Sequence, residues 1–268
     1  MEPIYTFTNS PIIVTDLDGT ILENGKVSNE ISSIFNKLHK LGIPITFATG
    51  RSKIPASQFA KLLKLKLPYI CSGGSIISDP ETDVDIYEKE IDIDTFVKIT
   101  NEIAEFKNLN IALYSLKDIY VQNEFKWITD YSSRQNIKLF KKDNLNLINK
   151  KTVLLIIGDP FDIDKITIRL KNKYSNLVEI NKTFENLCEV SSLEGNKLNS
   201  TKVLLNLLNL SKSDLFYFGD GEADIDLLKY AKYGYAVKGS VANTKLSDLE
   251  TIDIPEKSGF CNFINSIT

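Results

Sequence analysis

The sequence predicts an α/β fold, with a Rossmann-like parallel-sheet core and an inserted α+β domain. Over the first seventy residues, short apolar segments alternate with amphipathic ones; this alternation stops at residues 72–75 and returns after residue 191. Alternating strands and helices imply a parallel sheet with right-handed crossovers. The 268 residues exceed a typical single domain. We therefore expect residues 1–74 and 192–268 to form the core and residues 75–191 the insert.

The first part of the chain contains three predicted strands and two predicted helices in alternation. The strands are residues 11–16, 43–49 and 68–71, and the helices are residues 28–41 and 54–65. Ser28 is a suitable N-cap for the first helix, and Gly42 is a suitable stop after it. His39 falls outside the apolar stripe of this helix, so we expect it on the surface. Because His39 is the single histidine, a Ser-His-Asp triad and a histidine-rich zinc site are disfavoured.

The middle of the chain mixes strands and helices without this alternation, which is typical of an α+β domain. Its predicted strands are residues 111–115, 118–123, 152–157 and 187–191, and its helices lie near residues 94–106 and 161–173. The alternation then returns, with helices at residues 197–209, 223–231 and 258–267 and strands at residues 214–218, 234–237 and 250–254.

Composition argues against several classes of protein. The formal net charge of −3 does not suit a general nucleic-acid binder. Three well-separated cysteines in apolar surroundings are typical of buried side chains in a reducing compartment. The N-terminus lacks the pattern of a signal peptide, and no apolar segment approaches the length of a membrane span. We therefore expect a cytoplasmic protein without nucleic-acid or membrane partners.

Two aspartates at the end of the first strand form the most informative motif. The segment Asp16-Leu17-Asp18-Gly19-Thr20 follows the apolar residues of that strand. In open parallel sheets, ligands bind beyond the carboxyl ends of the strands. Two carboxylates at this place suit a hard cation and nucleophilic attack by one of them. A structural polar turn is the alternative.

Polar residues also follow the strand at residues 43–49. Thr49, Gly50 and Arg51 offer a hydroxyl, a backbone N–H and a cation to a phosphate group. A Thr-Gly pair ends many strands, however, and Arg51 is equally suited to the surface.

A second acidic pair, Asp220 and Asp224, follows the strand at residues 214–218. We expect it at the same sheet edge as Asp16 and Asp18. Such a cluster needs a counter-ion, and Mg²⁺ with oxygen ligands is the natural one. Stabilisation of a helix N-terminus is the alternative role for Asp224. Neither acidic segment has the glycine and glutamate spacing of a calcium-binding EF-hand.

Lys197 begins the helix that follows the insert. A cation is needed beside the acidic cluster to balance the charge of an incoming phosphate, and Lys197 is a candidate for it. The sequence contains neither a P-loop G-x-x-x-x-G-K-[ST] motif nor a G-x-G-x-x-G motif after a strand. A dinucleotide cofactor therefore has no support.

These four segments, in this order, resemble the motifs of the haloacid dehalogenase superfamily of aspartate-nucleophile phosphohydrolases. The first motif is matched by Asp16–Thr20, the second by Thr49, the third by Lys197 and the fourth by Asp220 with Asp224. The insert between the second and third motifs resembles a C2-type cap domain. The Thr49-Gly50-Arg51 segment and the later Gly73-Gly74 pair resemble the Cof-type (IIB) branch.

The resemblance spans the whole chain and implies an Mg²⁺-dependent phosphohydrolase of small phosphorylated metabolites, such as sugar phosphates. The reaction would pass through an aspartyl-phosphate, with Asp16 as the nucleophile and Asp18 as the acid/base. The phosphate or substrate would be held by Thr49, Gly50, Arg51 and Lys197, and the metal by Asp16, Asp18, Asp220 and Asp224. One departure is Ala223, where Cof-type members usually have asparagine. This change bears on metal affinity and rate.

Two other functions remain open. The chain could be a phosphotransferase resembling phosphomannomutase, or a phosphometabolite-binding or regulatory protein on a weakened phosphatase scaffold, the direction in which Ala223 points. We expect the cap to choose a small-molecule phosphoester. Tyr114, Tyr120 and Trp127 are candidates to line its cleft, although such residues more often belong to a core. A monomer or weak homodimer is expected.

Overall fold

The computed structural model describes residues 11–268. The predicted absence of a signal peptide rests on residues 1–4, which lie outside this range. The strands are β1 (Ile12–Thr15), β2 (Ile45–Phe47), β3 (Tyr69–Cys71), β4 (Ile76–Ser78), β5 (Asp85–Glu88), β6 (Asn110–Ser115), β7 (Asp118–Val121), β8 (Leu139–Lys141), β9 (Val153–Ile157), β10 (Val178–Phe184), β11 (Leu187–Ser192), β12 (Leu215–Gly219), β13 (Tyr233–Val237) and β14 (Thr251–Ile252). The helices are α1 (Asn29–Lys40), α2 (Lys53–Leu62), α3 (Ile93–Ala104), α4 (Lys126–Gln135), α5 (Pro160–Tyr174), α6 (Lys197–Leu207), α7 (Ile225–Tyr230), α8 (Val241–Lys245) and α9 (Gly259–Ile267).

A five-stranded parallel sheet has the order β14-β13-β12-β1-β2. The chain leaves β1 towards β2 on one side, whereas β12 pairs with β1 on the other. This reversal of direction places the loops after β1 and β12 side by side at the carboxyl edge, where open α/β sheets bind their ligands. The predicted α/β fold with a parallel-sheet core is confirmed.

Two compact units divide the chain. One comprises the described residues up to Arg51 together with Ala56–Ile86 and Lys197–Thr268, and the other comprises Ser52–Pro55 and Tyr87–Asn196. The predicted insert at residues 75–191 overlaps the second unit, whose main segment begins and ends later. That this unit acts as a cap stays a prediction.

Helix α1 illustrates how the first unit forms from local signals. The Ser28 hydroxyl accepts a hydrogen bond from the Ile31 N–H (3.1 Å), as an N-cap should. The apolar residues of α1 are buried against the parallel sheet, whereas Gly42 adopts a left-handed conformation (φ +69°) just after the helix. His39 was predicted at the surface, and the structure shows it there only in part. Its ring is half-buried, with Nε2 3.3 Å from the Leu63 carbonyl oxygen.

The second unit is built on a six-stranded sheet with the order β10-β11-β9-β6-β7-β8, antiparallel except between β7 and β8. Apolar clusters cover both faces of this sheet. Tyr114 is buried in one of them, and its hydroxyl bonds to that of Tyr131 (2.9 Å). Trp127 stacks on Tyr131, and Tyr120 stacks on Phe140. These aromatic side chains therefore contribute to packing within the unit.

Among residues 11–268, no helix combines the length and the apolar character needed to cross a membrane.

Candidate active site

Asp16 leaves the sheet directly after β1. The four residues of β1 are buried, and the Asp16 N–H continues the ladder by donating to the Phe218 carbonyl oxygen on β12 (2.8 Å). The Asp16 side chain is itself buried, with 5% of its surface exposed. A carboxylate with so little exposure to solvent needs a partner of opposite charge.

Lys197, the first residue of α6, supplies this partner. Its ammonium lies 2.6 Å from Asp16 Oδ1 and 2.7 Å from Asp224 Oδ1, and the side chain is buried. Lys197 therefore joins the loop after β1 to the loop after β12. Two of its three N–H donors are engaged in this way, which leaves one for a phosphoryl oxygen.

Asp224 is the most heavily bonded member of the cluster. Its Oδ2 accepts hydrogen bonds from the backbone N–H groups of Asp220 (3.1 Å) and Gly221 (2.8 Å). Its Oδ1 accepts from Lys197 and from the Tyr217 hydroxyl. Asp224 thus fixes the turn that carries Asp220.

Asp220 faces the turn that follows Asp16. The Thr20 hydroxyl donates to Asp220 Oδ1 (3.1 Å). Gly19 adopts φ +76°, and a Cβ atom at this position would lie 2.4 Å from Asp220 Oδ2. Only glycine permits this conformation and this approach of the carboxylate without strain.

Asp18 points to a different partner. Its two carboxylate oxygens accept hydrogen bonds from Arg51 Nε (2.7 Å) and from the terminal Nη2 of Arg51 (2.6 Å), and its side chain is half exposed. The Arg51 N–H also donates to the Thr49 hydroxyl (3.1 Å). The Thr49–Arg51 loop therefore holds the carboxylate predicted to act as acid and base.

Burial and mutual repulsion shift the protonation equilibria of this cluster. Burial raises the pKa of Asp16, opposed by Lys197 and reinforced by Asp224 and Asp220. Burial and the nearby Asp224 carboxylate raise the pKa of Asp220 to about 6. Burial alone would lower the pKa of Lys197, but Asp16 and Asp224 raise it, so its ammonium stays charged.

The acids could hold a divalent metal ion. Oxygen atoms of Asp16, Asp220 and Asp224 lie within 4.8 Å of one another, and the Asp18 carboxylate is not part of this group. Three carboxylates facing one ammonium leave an excess of negative charge. A set made only of oxygen donors suits a hard cation such as Mg²⁺. The residues present therefore fit the predicted metal.

The structure brings together four of the predicted site residues, Asp16, Lys197, Asp220 and Asp224. Thr49 is buried and Gly50 is exposed in the neighbouring loop, which is tied to Asp18 through Arg51. Ala223 lies in the turn before α7 with its side chain exposed. Sequence reasoning missed Tyr217. Alternation along the strand places Tyr217 and Gly219 on one face of the sheet, beside the acidic loop, but this pattern does not distinguish a hydrogen-bonded hydroxyl from a ring that only packs.

Comparisons with known proteins show the family to which this chain belongs. The family model of the haloacid dehalogenase-like hydrolases matches residues 13–264. A protein of Buchnera aphidicola subsp. Acyrthosiphon pisum, named provisionally as a phosphatase, is 28% identical over 262 residues, covering 96% of this chain and 96% of that protein. The 5-amino-6-(5-phospho-D-ribitylamino)uracil phosphatase of Bacillus subtilis is 22% identical over 263 residues, covering 96% of this chain and 97% of that protein.

Solved structures share the fold. The crystal structure of a haloacid dehalogenase-like hydrolase from Bacteroides thetaiotaomicron has a TM-score of 0.84 and 20% sequence identity, covering 97% of this chain and 100% of the other. The family match over nearly the whole chain confirms the predicted resemblance to this superfamily, whereas the role of each motif residue stays a prediction. The chain belongs to the haloacid dehalogenase-like hydrolases and is a phosphatase of their Cof-type branch.

Proposed function

We propose that this protein is an Mg²⁺-dependent phosphohydrolase of small phosphorylated metabolites, in particular sugar phosphates, which acts through an aspartyl-phosphate on Asp16. The observation that supports this most is the Lys197 ammonium, which lies between the buried carboxylates of Asp16 and Asp224. A nucleophilic carboxylate beside a fixed cation suits attack on an electron-poor phosphorus that carries anionic oxygens.

The proposed reaction has two steps. In the first, an Asp16 oxygen attacks phosphorus while the bond from phosphorus to the ester oxygen breaks, and protonated Asp18 gives its proton to the leaving oxygen. In the second, ionised Asp18 takes a proton from water as that water attacks the phosphorus of the aspartyl-phosphate. Inorganic phosphate leaves and the Asp16 carboxylate is restored. The half-exposed Asp18 side chain, held by Arg51, is accessible to water for both proton transfers.

The other residues of the site bind and orient the phosphoryl group. The remaining N–H donor of Lys197 and the Thr49 hydroxyl would hold phosphoryl oxygens. Mg²⁺, held by the carboxylates of Asp16 and Asp220 and the main-chain carbonyl of Asp18, would neutralise charge on the transferring group when bound. Asp224 would keep Lys197 in place, and Arg51 would orient Asp18.

Substitution of the nucleophile tests the proposal. Asp16→Asn should lower the hydrolysis of p-nitrophenyl phosphate in Mg²⁺ by about a thousandfold or more, because the amide cannot form the acyl phosphate. The matched control is Asp226→Asn, which changes an exposed carboxylate on α7 and should leave the rate unchanged. Wild-type rates in Asp16→Asn would contradict the proposed nucleophile.

A substrate panel tests the choice of ester. The Bacillus subtilis relative is named for a ribityl phosphate ester, which supports sugar-like leaving groups for this chain. We expect sugar and polyol phosphates to release inorganic phosphate faster than aromatic or nucleotide phosphates do. Isomerised sugar phosphate without inorganic phosphate would instead identify a phosphotransferase.

A further inference from the structure

Tyr217 places a hydroxyl inside the acidic cluster. It lies in the middle of β12, paired with Val14 on β1 and with Gly234 on β13, and it has no exposed surface. Its hydroxyl donates a hydrogen bond to Asp224 Oδ1, the same oxygen that accepts from Lys197. The Tyr217 hydroxyl and the Lys197 ammonium, which also contacts Asp16, therefore share one acceptor oxygen.

The bonding of Asp224 is complete without any other ligand. A carboxylate accepts about four hydrogen bonds, and Asp224 accepts four, two from backbone N–H groups and one each from Lys197 and Tyr217. In this arrangement its oxygens are committed to the turn and to Lys197. Asp224 then binds the Lys197 ammonium, while Asp16 and Asp220 remain the carboxylates that could bind a metal ion.

A purely structural explanation is that Asp224 merely satisfies a buried hydroxyl, as almost every buried polar group must be satisfied. That explanation predicts a loss of stability alone when the hydroxyl is removed. Because Tyr217 and Lys197 bond to the same Asp224 oxygen, removal of the hydroxyl should also affect Lys197. A hydroxyl bond to Oδ1 takes up part of the negative charge that would otherwise draw Lys197 towards Asp224. Its removal should move Lys197 away from Asp16.

We propose that Tyr217 is a positioning residue for phosphoryl transfer, whose hydroxyl sets the place of the Lys197 ammonium between Asp224 and Asp16. Burial and the surrounding carboxylates raise the pKa of Tyr217, so it remains a donor at neutral pH. The kinetic part of this proposal rests on the proposed phosphatase function, whereas the position of Lys197 does not.

The test compares Tyr217→Phe with Tyr69→Phe. Both variants remove one hydroxyl from a fully buried tyrosine of the same unit, and Tyr69 lies on β3 outside the acidic cluster. The first measurement is heteronuclear NMR of protein labelled with ¹⁵N at the lysine side-chain nitrogen, in which a buried, bonded ammonium gives a distinct signal. The signal of Lys197 is assigned by its loss in Lys197→Met. The second measurement is steady-state hydrolysis of a phosphoester.

We expect the Lys197 signal to shift in Tyr217→Phe and to stay unchanged in Tyr69→Phe. The kcat of Tyr217→Phe should fall about tenfold, with KM and the Mg²⁺ concentration for half-maximal rate within about twofold, as the loss of one hydrogen bond near a charge would give. Tyr69→Phe should keep the wild-type kcat.

An unshifted Lys197 signal in Tyr217→Phe would overturn the proposal, as would equal kcat losses in the two variants. An Mg²⁺ requirement that rises as much as kcat falls would also overturn it, because Asp224 would then belong to the metal site. If the wild-type protein hydrolyses no phosphoester, the proposed function fails, and the NMR comparison alone still decides the role of Tyr217.

Discussion

Gly19 combines a left-handed backbone conformation with the close approach of a carboxylate from the acidic cluster. Its left-handed φ of +76° turns the chain after Asp18, and its missing side chain leaves room for the Asp220 carboxylate. A Cβ atom at residue 19 would lie 2.4 Å from Asp220 Oδ2, in the space that this carboxylate occupies in the cluster. The glycine of the first motif is therefore required for the acidic cluster, as well as for the turn.

Gly19→Ala should lower both stability and metal binding. The Cβ atom would lie 2.4 Å from Asp220 Oδ2, so either the turn or the carboxylate must move. We expect the free energy of unfolding to fall by about 2–4 kcal/mol, from left-handed strain and the clash together. The Mg²⁺ concentration for half-maximal rate should rise. Chemical denaturation and Mg²⁺ titration of the rate measure the two effects.

Gly42→Ala is the matched control for this change. Gly42 has a similar φ of +69°, but nothing lies within 4 Å of the position that its Cβ atom would take. It should show the backbone strain alone, about 1 kcal/mol, with an unchanged Mg²⁺ requirement. If Gly42→Ala and Gly19→Ala changed the stability and the Mg²⁺ requirement equally, the contact with Asp220 could not be the cause of the Gly19→Ala effects.

At the scale of the element, strand β11 carries a carboxylate that titrates near neutrality. Burial raises the pKa of Glu189 from 4.5 to about 7, opposed by a hydrogen bond to Thr183. The folded state thus holds this proton more tightly than the unfolded chain. The free energy of unfolding must then fall as the pH rises from about 4.5 to about 7, and the loss is complete above that range.

Glu189→Gln should remove this loss. We expect its stability to be close to that of the wild-type protein near pH 5 and to exceed it at pH 8, by at most about 3.5 kcal/mol, since one pKa unit corresponds to about 1.4 kcal/mol. Thermal unfolding between pH 5 and pH 8 measures the difference. Glu185→Gln, at an exposed position in the turn before β11, should follow the wild-type profile. A pH-independent effect of Glu189→Gln would contradict the shifted pKa.

The elements predicted from the sequence are those with strong local signals. Helix α1 was predicted to within a residue at each end because it has a periodic apolar stripe, a serine cap and a glycine stop. Helix α4 was missed, since its sequence KWITDYSSRQ contains weak helix formers and buries only Ile128 and Ser132. Strand β10 was missed because Glu179, Asn181 and Lys182 have low strand propensity, and its pairing with β11 supplies the stability.

Some features of the candidate site could likewise be predicted from the sequence, and others could not. The sheet edge shared by Asp16 and Asp220 could be predicted, because parallel strands end together. The pairing of Arg51 with Asp18 could not, since it depends on how two long side chains lie. Tyr217 was missed because a tyrosine in a buried strand normally indicates packing, and only the position of Asp224 gives its hydroxyl a partner.

At the scale of the whole molecule, stability and metal binding should be linked. The buried cluster of Asp16, Asp220 and Asp224 opposes three carboxylates with one ammonium. Burial, reinforced by the neighbouring carboxylates, raises the pKa values of Asp16 and Asp220, so the fold favours the protonated form of each group. Without a cation, the fold must therefore lose stability as the pH rises through about 6, the pKa of Asp220.

Mg²⁺ should restore that stability. At a concentration one hundred times its dissociation constant, a ligand bound only by the folded state adds about 2.7 kcal/mol. We expect a higher unfolding temperature in Mg²⁺ than in EDTA at pH 8, and a smaller gain at pH 5, where protons compete for Asp220. Asp220→Asn should lose most of this gain, whereas Asp226→Asn, which alters an exposed residue on α7, should keep it. Calorimetric scans of the three proteins with and without Mg²⁺ measure this rise in unfolding temperature. An equal rise in Asp220→Asn and in the wild-type protein would place the bound cation elsewhere.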